Sequence, residues 1–244
     1  MNPYYTDSLV SLYLGDAREI LPLIEQPDTC ITDPIWPNSV FPGVADPQEL
    51  FAQTCRLLTC PRLVVHLGCV SDPRFLAAVP ERYLFMRVCW LNYVRPSYRG
   101  RILIGSDVAY AFGEPPRSRP GRRVIPGSVN ARDNRTKTQN THRGEGSSSL
   151  VDYVAMPHPA PRRLEHVSWL VNNFADDSVL DPFAGTGTTL VAAKQHGLKS
   201  IGIEIEERYC EIAARRLDQG VLGLVDEAWD DGVITLGDGG NQHE

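Results

Sequence analysis

Apolar and polar positions along the chain alternate with two periods, which predicts strands and helices in turn. Alternating or continuous apolar runs bounded by turn residues predict strands at Leu9 to Leu14, Thr29 to Thr32, Arg62 to Gly68, Tyr83 to Tyr93 and Ile102 to Phe112. The third run has the near-continuous apolar character of a strand buried in a parallel sheet, whereas the last two are expected to form an antiparallel pair. Apolar residues at helical spacing predict helices at Arg18 to Glu25 and Pro47 to Leu58.

The pattern becomes regular again after residue 160 and alternates between helix and strand. It predicts helices at Pro161 to Phe174, Thr189 to His196 and Glu206 to Leu217, and strands at Ser178 to Leu180 and Ser200 to Ile203. This succession is a βαβα unit, in which the strands are parallel and the crossover is right-handed. The sequence therefore predicts an α/β fold.

Charge is distributed unevenly and suggests four regions. The net charge is −6, yet Arg95 to Arg143 holds eleven Lys or Arg against three acids, a local balance of +8. Within it, residues 114–150 are rich in Pro, Gly, Arg and Ser, as in a solvated loop or a phosphate-contacting region. Residues 218–244 are acidic, with seven acids and no Lys or Arg, and are expected to be partly disordered. Residues 1–113 and 151–217 are then the two halves of one domain.

The most specific segment is the glycine-rich stretch S-V-L-D-P-F-A-G-T-G-T-T-L, Ser178 to Leu190. A strand ends at Asp181, and Gly185 and Gly187 precede a helix, whose first N–H groups are free to bind a ligand. Seventeen residues after Gly187, the next strand ends at Glu204, where a carboxylate can bind a ribose diol. The segment therefore predicts a site for an adenosine-containing cofactor.

Three cofactors compete for this segment. A nucleotide phosphate loop needs a lysine after the glycines, and there is none. A dinucleotide fingerprint needs a third small residue where Leu190 stands. S-adenosylmethionine needs a G-x-G-type turn with an acid before it and a second acid at the end of the next strand. Asp181 and Glu204 fit that requirement.

The segment D-P-F-A-G-T-G-T-T resembles the cofactor motif of amino-group DNA methyltransferases, the family marked by D-P-P-Y. T-D-P-I-W, at residues 32–36, then resembles the catalytic motif, and its position upstream is the beta order of that family. Residues 14–17, 158–164 and 202–205 resemble further segments of the family. The resemblance implies a Rossmann-like methyltransferase fold with circularly permuted motif order and a mostly parallel sheet with one antiparallel strand. Residues 114–150 hold the position of the target-recognition region.

The resemblance also implies which residues form the site. The implied catalytic residues are Asp33, Pro34, Ile35 and Trp36. The implied cofactor-binding residues are Asp16, His158, Arg162, Asp181, Pro182, Phe183, Ala184, Gly185, Thr186, Gly187, Thr188, Glu204 and Ile205. The basic residues expected to bind DNA are Arg117, Arg119, Arg122, Arg123, Arg132, Arg135, Lys137 and Arg143. The sequence departs from the family pattern where Ile35 replaces Pro and where Arg162 and Arg163 replace Lys and Pro.

The chemistry of an exocyclic amine explains why an Asp and a Pro stand together. The lone pair of this amine is delocalised into the base, and hydrogen bonds accepted from both of its protons localise the pair. The carboxylate of Asp33 and the carbonyl of Pro34 offer two adjacent acceptors, and proline restrains both residues. Trp36 can stack on the base, which must leave a duplex to be reached. The resemblance further implies adenine N6 over cytosine N4, because the cytosine-N4 members of the family more often begin this motif with Ser than with Asp.

Two other classes of protein remain open. One is a nucleic-acid-binding protein with a decayed methyltransferase fold, and the other is an NAD-dependent oxidoreductase, which Leu190 disfavours. RNA remains a possible substrate, and a homodimer would enlarge the DNA contact. The six cysteines have no zinc spacing, no metal is expected, and no apolar run could span a membrane. The expected location is the cytoplasm, and the gene is expected to be prokaryotic or phage-encoded.

Several single residues have two interpretations. Asp16 can contact the adenine of the cofactor or cap the following helix, and His158 can belong to the cofactor site or to a turn. Trp90 is expected in the core or in a pocket wall. His66 lies on an apolar strand and is expected to be a core histidine with its hydrogen bonds satisfied.

Overall fold

The computed structural model of the protein describes residues 2–35, 44–68, 71–99, 101–119, 124–130 and 162–219. These residues form one β-sheet flanked by helices. The strands are β1 (Tyr5–Thr6), β2 (Val10–Leu14), β3 (Thr29–Thr32), β4 (Arg62–Gly68), β5 (Phe85–Arg99), β6 (Ile102–Gly113), β7 (Ser128–Asn130), β8 (Ser178–Asp181) and β9 (Lys199–Glu204). The helices are α1 (Ala17–Ile20), α2 (Pro47–Leu57), α3 (Leu164–Phe174), α4 (Thr188–Gln195) and α5 (Glu207–Asp218), with 3₁₀ turns at Leu21–Leu23 and Pro73–Ala78.

The strands are arranged in the order β1-β2-β9-β8-β3-β4-β6-β5-β7. From β2 to β4 all neighbouring strands are parallel, and β6 runs antiparallel to both β4 and β5. The predicted α/β fold, with a mostly parallel sheet and one antiparallel strand among the long ones, is confirmed. The two-residue strand β1 is also antiparallel to its neighbour β2.

The two halves of the chain interleave in this sheet. Strands β8 and β9 come from the second half, yet they lie between β2 and β3 from the first half. Val10 aligns with Ser200 on one side of this insert, and Thr29 aligns with Val179 on the other. The predicted catalytic segment after β3 is therefore adjacent in space to the glycine-rich segment after β8, which follows it by some 150 residues in the chain.

Both faces of the sheet are covered, which explains the near-continuous apolar run of β4. Leu63, Val65 and Leu67 pack with Phe51 of α2 on one face. Val64 points to the opposite face, where it packs with Leu170, Val171 and Phe174 of α3. These side chains are at most 1% exposed, and burying each one stabilises the fold by roughly 1.5–3 kcal/mol.

Three of the departures from the predicted elements change the chain path near the sheet edges. Helix α1 ends at Ile20 and continues as a 3₁₀ turn, because Pro22 cannot donate an α-helical hydrogen bond. Strand β5 extends to Arg99, past a register shift between Asn92 and Ser97. Strand β7 lies inside the predicted insertion 114–150 and pairs with β5, so part of that region extends the sheet. No helix among the described residues is long and apolar enough to cross a bilayer.

Candidate active site

The carboxyl ends of the parallel strands meet at one edge of the sheet, and a pocket opens there. Asp33 follows β3, Asp181 ends β8 and Glu204 ends β9. Ligands of open α/β sheets bind at this edge. The pocket encloses about 500 Å³, part of it open to solvent, and is lined by Ile31, Thr32, Asp33, His66, Arg162, Val167, Asp181, Phe183, Ala184, Gly185, Thr186, Thr188 and Thr189. Residues from the predicted catalytic and cofactor segments thus share one pocket.

A direct hydrogen bond joins these two segments. The hydroxyl of Thr32, the residue before Asp33, donates to Oδ1 of Asp181 at 2.9 Å. The backbone N–H of Phe183 donates to the same oxygen at 3.1 Å. Burial raises the pKa of Asp181 to about 6, although hydrogen bonds from Thr32 and Thr189 act in the opposite direction. Asp181 therefore orients the start of the glycine-rich segment against the end of β3.

The glycine-rich segment has the backbone conformation that its glycines allow. Gly185 and Gly187 have φ angles of 51° and 77°, in the region that favours glycine. A Cβ atom on Gly187 would lie 2.8 Å from the Cβ of Ala213, so helix α5 also requires a glycine there. Leu190 is fully buried and packs on Gly202, where an added Cβ would lie 2.6 Å from its Cδ1. The leucine that disfavours a dinucleotide fingerprint thus contributes to the packing of α4 on β9.

Glu204 binds the backbone of both loops at this edge. Its Oε2 accepts from the N–H of Gly185 at 2.7 Å, and its Oε1 accepts from the N–H of Glu206 at 2.9 Å. Burial raises the pKa of Glu204. Each carboxylate oxygen retains a further lone pair, which is the acceptor that a ribose diol needs. The next residue, Ile205, is 55% exposed and offers an apolar surface beside this carboxylate.

Asp16 lies at the neighbouring strand end. The N–H of Gly15 donates to the carbonyl of Glu204 at 2.9 Å, which brings the end of β2 beside the end of β9. The Asp16 side chain accepts from the N–H of Arg18 at 2.8 Å and caps helix α1. The capping interpretation is therefore seen in the structure, and the contact with a cofactor stays a prediction.

The carboxylate of Asp33 is held by Arg162 in a two-point contact. Nε of Arg162 donates to Oδ2 at 2.6 Å, and Nη2 donates to Oδ1 at 2.9 Å. Nη1 of the same guanidinium donates to Oδ2 of Asp107 on β6 at 3.0 Å. The Asp33 side chain is 25% exposed, whereas that of Arg162 is 11% exposed. The sequence predicted Arg162 as a cofactor ligand, and the structure brings it to Asp33 of the predicted catalytic segment.

Sequence reasoning missed the polar groups behind Arg162. Asp107 also accepts from the hydroxyl of Tyr93 at 2.5 Å. Burial alone would raise the pKa of Asp107, but the neighbouring His66, Arg162 and Tyr93 groups lower it to about 2. Asp107 is the one acid in the apolar run of β6, and a buried carboxylate needs partners. This need for partners was the signal in the sequence from which a polar network around Asp107 could have been predicted.

His66 is buried as predicted, but its hydrogen bonding differs from the prediction. Among the described residues, its Nε2 has no hydrogen-bond partner, and it lies 3.5 Å from Oδ2 of Asp107 in the pocket wall. Burial lowers the pKa of His66. The prediction of a fully satisfied core histidine is wrong, because β4 ends at the pocket and the strand pattern carries no information on polar neighbours.

A buried trio of possible metal ligands lies beside this site. His66, Asp107 and His166 each offer one ligand atom, all within 4.8 Å of one another. The guanidinium of Arg162 already supplies a positive charge to Asp107 and would repel a divalent cation there. The trio is therefore better described as a neighbour of the ion pair than as a metal centre.

Two of the basic residues predicted to bind DNA lie at the opposite edge of the sheet. The N–H of Arg117 donates to Asp176 at 2.9 Å, and its guanidinium lies 3.0 Å from Asp177. Nη2 of Arg119 donates to the carbonyl of Ala175 at 2.5 Å. The structure does not bring these two arginines to the pocket. Outside the described residues lie Trp36, His158, Arg122, Arg123, Arg132, Arg135, Lys137 and Arg143.

The fold and the pocket define a methyltransferase of the S-adenosylmethionine-dependent class. A family described as DNA methylase (N6_N4_Mtase) matches residues 36–215, and the chain belongs to that family. The resemblance seen in the sequence is thereby confirmed. The predicted cofactor is confirmed at the level of the family.

Curated relatives match over short segments. The orphan methyltransferase M.BamHII of Bacillus amyloliquefaciens is 40% identical over 76 residues, which are 30% of this chain and 29% of the relative. The DNA adenine methyltransferase YhdJ of Escherichia coli (strain K12) is 42% identical over 69 residues, which are 28% of this chain and 24% of the relative. The chain thus spans less than a third of the length of these relatives.

Two solved structures share the fold over most of the chain. The complex of M1.HpyAVI with S-adenosylmethionine has a TM-score of 0.60 at 20% identity and covers 86% of this chain and 100% of its own. The cytosine-N4-specific PvuII DNA methyltransferase has a TM-score of 0.63 at 16% identity and covers 93% of this chain and 90% of its own. At these identities the likeness extends to the fold alone.

Proposed function

We propose that this protein transfers a methyl group from S-adenosylmethionine to the exocyclic N6 amine of adenine in double-stranded DNA. The hydrogen bond between Thr32 and Asp181 carries the proposal, because it joins the Asp33-Pro34 segment to the glycine-rich segment within one pocket. A methyl acceptor bound at one segment would meet a methyl donor bound at the other. In-line placement of donor and acceptor would then accelerate the transfer.

The pocket residues suit the cofactor. The small residues from Ala184 to Thr188 let the ligand approach the backbone, and Glu204 retains acceptors for a ribose diol. The exposed Ile205 offers an apolar contact to the adenine ring, and Asp16 is a further candidate at the neighbouring strand end. When bound, S-adenosylmethionine supplies an electrophilic methyl group on a sulfonium.

The target amine is activated by Asp33 and Pro34. The Asp33 carboxylate accepts a hydrogen bond from one amine N–H, and the Pro34 carbonyl accepts a hydrogen bond from the other. These two hydrogen bonds localise the nitrogen lone pair for attack on the methyl group. Every residue supplies a carbonyl, so Ile35 leaves this pair of acceptors intact. Trp36 would stack on the base after the base has left the duplex. No metal and no covalent enzyme intermediate is required.

We assign adenine as the target base because the motif begins with Asp. Part of the basic region 114–150 would contact DNA phosphates. Mass spectrometry of nucleosides from DNA treated with the protein and S-adenosylmethionine tests the proposal. We expect N6-methyladenine with the wild type and none with Asp33→Ala, whose affinity for the cofactor should persist in calorimetry. N4-methylcytosine in place of N6-methyladenine would reassign the base, and full activity of Asp33→Ala would contradict the mechanism.

A further inference from the structure

We propose that Arg162 is a positioning residue that fixes the plane of the Asp33 carboxylate for the target amine, and that Asp107 in turn fixes Arg162. This inference rests on the proposed function. It assigns to Arg162 a role different from the cofactor contact that the sequence suggests. Three hydrogen bonds of 2.6, 2.9 and 3.0 Å from one guanidinium to two carboxylates carry it.

An Asp side chain needs such help because its carboxylate rotates easily. The terminal torsion of Asp has a broad, roughly two-fold distribution, so a free carboxylate does not point its lone pairs in one direction. Arg162 occupies one lone pair on each oxygen of Asp33 with two parallel N–H groups. A carboxylate has about four acceptor sites, and this contact uses one on each oxygen. The contact therefore fixes the direction of both oxygens of Asp33.

Asp107 connects this contact to the rigid sheet. Arg162 stands two residues before helix α3, in a segment that has no regular secondary structure. The Asp107 side chain is 7% exposed on β6, and the Tyr93 hydroxyl from β5 donates to the same oxygen as Arg162. The guanidinium is thus held between a strand and the catalytic segment. Removing either carboxylate would take away one of the two anchors that orient the guanidinium.

The charges also fit methyl transfer to an amine. Two carboxylates and one guanidinium leave a net charge of −1 in this cluster. In the proposed reaction, the amine nitrogen would form a bond to the methyl carbon while the S–C bond breaks with its electron pair going to sulfur, and the nitrogen would then give a proton to the Asp33 carboxylate, which releases it to solvent. The nitrogen is positive before that proton leaves. Asp107 offsets the charge of Arg162, so that the charge of Asp33 is still available to stabilise the nitrogen.

The shape of the guanidinium is as important as its charge. A lysine ammonium is a point charge without the planar fork that matches a carboxylate, and it cannot bind Asp33 and Asp107 in the same way. We therefore expect Arg162→Lys to retain folding and to lose part of the rate, and Arg162→Ala to lose more. A misplacement of about 1 Å at a reacting group can cost about 10²-fold in rate.

The first test is single-turnover methylation of DNA by Arg162→Ala, Arg162→Lys and Asp107→Asn. We expect kcat to fall about 10²-fold in the first and about 10-fold in the other two. KM for DNA and the Kd for S-adenosylmethionine should change by less than about threefold, which separates positioning from binding. Low-millimolar guanidinium should restore at least about tenfold of the rate of Arg162→Ala, whereas methylammonium should not. Unchanged kcat with weakened cofactor binding would overturn the proposal.

Arg163→Ala is the matched control. Arg163 is exposed and adjacent in the chain, and its guanidinium lies over the Tyr93 ring at 4.7 Å from the centroid. The hydrogen bonds to Asp33 come from Arg162 and not from Arg163. The kcat of the Arg163→Ala variant should therefore equal that of the wild type and should not change when guanidinium is added. A loss of kcat in Arg163→Ala as large as that in Arg162→Ala would contradict the special role of Arg162.

A second test does not depend on the reaction. Crystal structures of the wild type and of Arg162→Ala should show an ordered Asp33 carboxylate in the first, and one rotated by more than about 30° or split in the second. An unchanged carboxylate would overturn the positioning role. A wild-type protein that does not methylate DNA would overturn the proposed function instead, and the crystallographic comparison would still decide the role of Arg162.

Discussion

The two edges of the parallel sheet each hold a buried arginine, and the two differ in what they bind. Arg162 lies at the carboxyl edge, between two carboxylates and facing the pocket. Arg62 lies at the amino edge, as the first residue of β4. Its side chain is 3% exposed. Both guanidinium groups have several hydrogen-bond partners, yet we assign a function to one alone.

The partners of Arg62 are mostly uncharged backbone and hydroxyl groups. It donates to the carbonyls of Glu114 and Phe174, at 2.7 and 2.5 Å, and to the hydroxyl of Thr29 at 2.9 Å. Its single carboxylate partner is Asp176 at 3.2 Å. These contacts join the ends of β6 and α3 to the starts of β3 and β4. The arrangement connects chain segments, and its carboxylate, Asp176, does not line the pocket at the carboxyl edge.

Asp28 completes the amino edge in the same manner. Its carboxylate accepts from the backbone N–H groups of Asp176, Asp177 and Ser178, at 3.2, 2.8 and 2.7 Å. Burial alone would raise the pKa of Asp28, but these hydrogen bonds and that of Thr29 lower it. The comparison teaches that burial and ion pairing do not identify a functional arginine. A functional arginine is identified by what its partners are bound to and by whether those partners face a cavity.

The largest effect that would test this comparison is on stability. Arg62→Met should lower the free energy of unfolding by about 3–5 kcal/mol, because it leaves buried carbonyls and Asp176 without their partner. Urea unfolding measures this loss. The methylation rate per cofactor-binding site should stay at the wild-type value, in contrast to Arg162→Ala.

Arg62→Lys provides a milder variant in case Arg62→Met does not fold. Lysine keeps the charge and reaches fewer of the carbonyls, so a smaller loss of stability with an unchanged rate is expected. A lower rate per site in either variant would contradict the separation between the two edges.

An intermediate effect is expected at the carboxyl edge from Glu204→Gln. The amide keeps the size of the side chain but weakens the charge-assisted hydrogen bonds to Gly185 and to a ribose diol. Calorimetry should show a Kd for S-adenosylmethionine about 10-fold higher, with kcat restored at saturating cofactor. Glu206→Gln is the control, because Glu206 pairs with Arg208 and should leave the Kd unchanged.

The smallest effect concerns the pH dependence of stability. The pKa of Asp181 is about 6 in the folded protein against 3.8 in a model peptide, so its protonated form favours folding. That stability is present below pH 3.8 and is lost as the pH rises through 6. When the pH is lowered from 8 to 5, protonation of Asp181 alone should raise the free energy of unfolding by about 1 kcal/mol.

Asp181→Asn isolates this contribution, since asparagine imitates the neutral acid at every pH. The stability gain of the wild type between pH 8 and pH 5 should exceed that of the variant by about 1 kcal/mol in urea titrations. Equal gains in both proteins would show that Asp181 is ionised in the same way in the folded and unfolded chains. Asp28 of the amino edge should not behave like Asp181, because its pKa is lowered rather than raised.

The sequence predicted the strands of the central sheet closely and the polar network poorly. Thr29 to Thr32 and Arg62 to Gly68 have the same bounds in the structure as in the prediction, since apolar periodicity is a local signal. The contact of Arg162 with Asp33 joins residues 129 positions apart. It depends on how α3 packs on the sheet, and no local pattern encodes that.

The register of β5 and β6 explains a second omission. An antiparallel pair was predicted, but the partner of Asp107 depends on which residues align, and the structure pairs Leu91 with Asp107. Because β5 also has register shifts, the position of Tyr93 could not be read from the pattern. The glycine-rich segment was predicted from the sequence, because the two glycines that its conformation requires, Gly185 and Gly187, lie close together in the chain.

The interleaved sheet has a consequence for how the protein is made. A ribosome releases β2 and β3 long before β8 and β9, which occupy the space between them. Until the second half of the chain emerges, both early strands present unpaired edges of the kind that promote association with other chains. Pairing over such sequence distances is also slow, because a long loop must close first. The circular order of motifs thus delays completion of the sheet until β8 and β9 have been synthesised, and the unpaired strands of the nascent chain stay open to association until then.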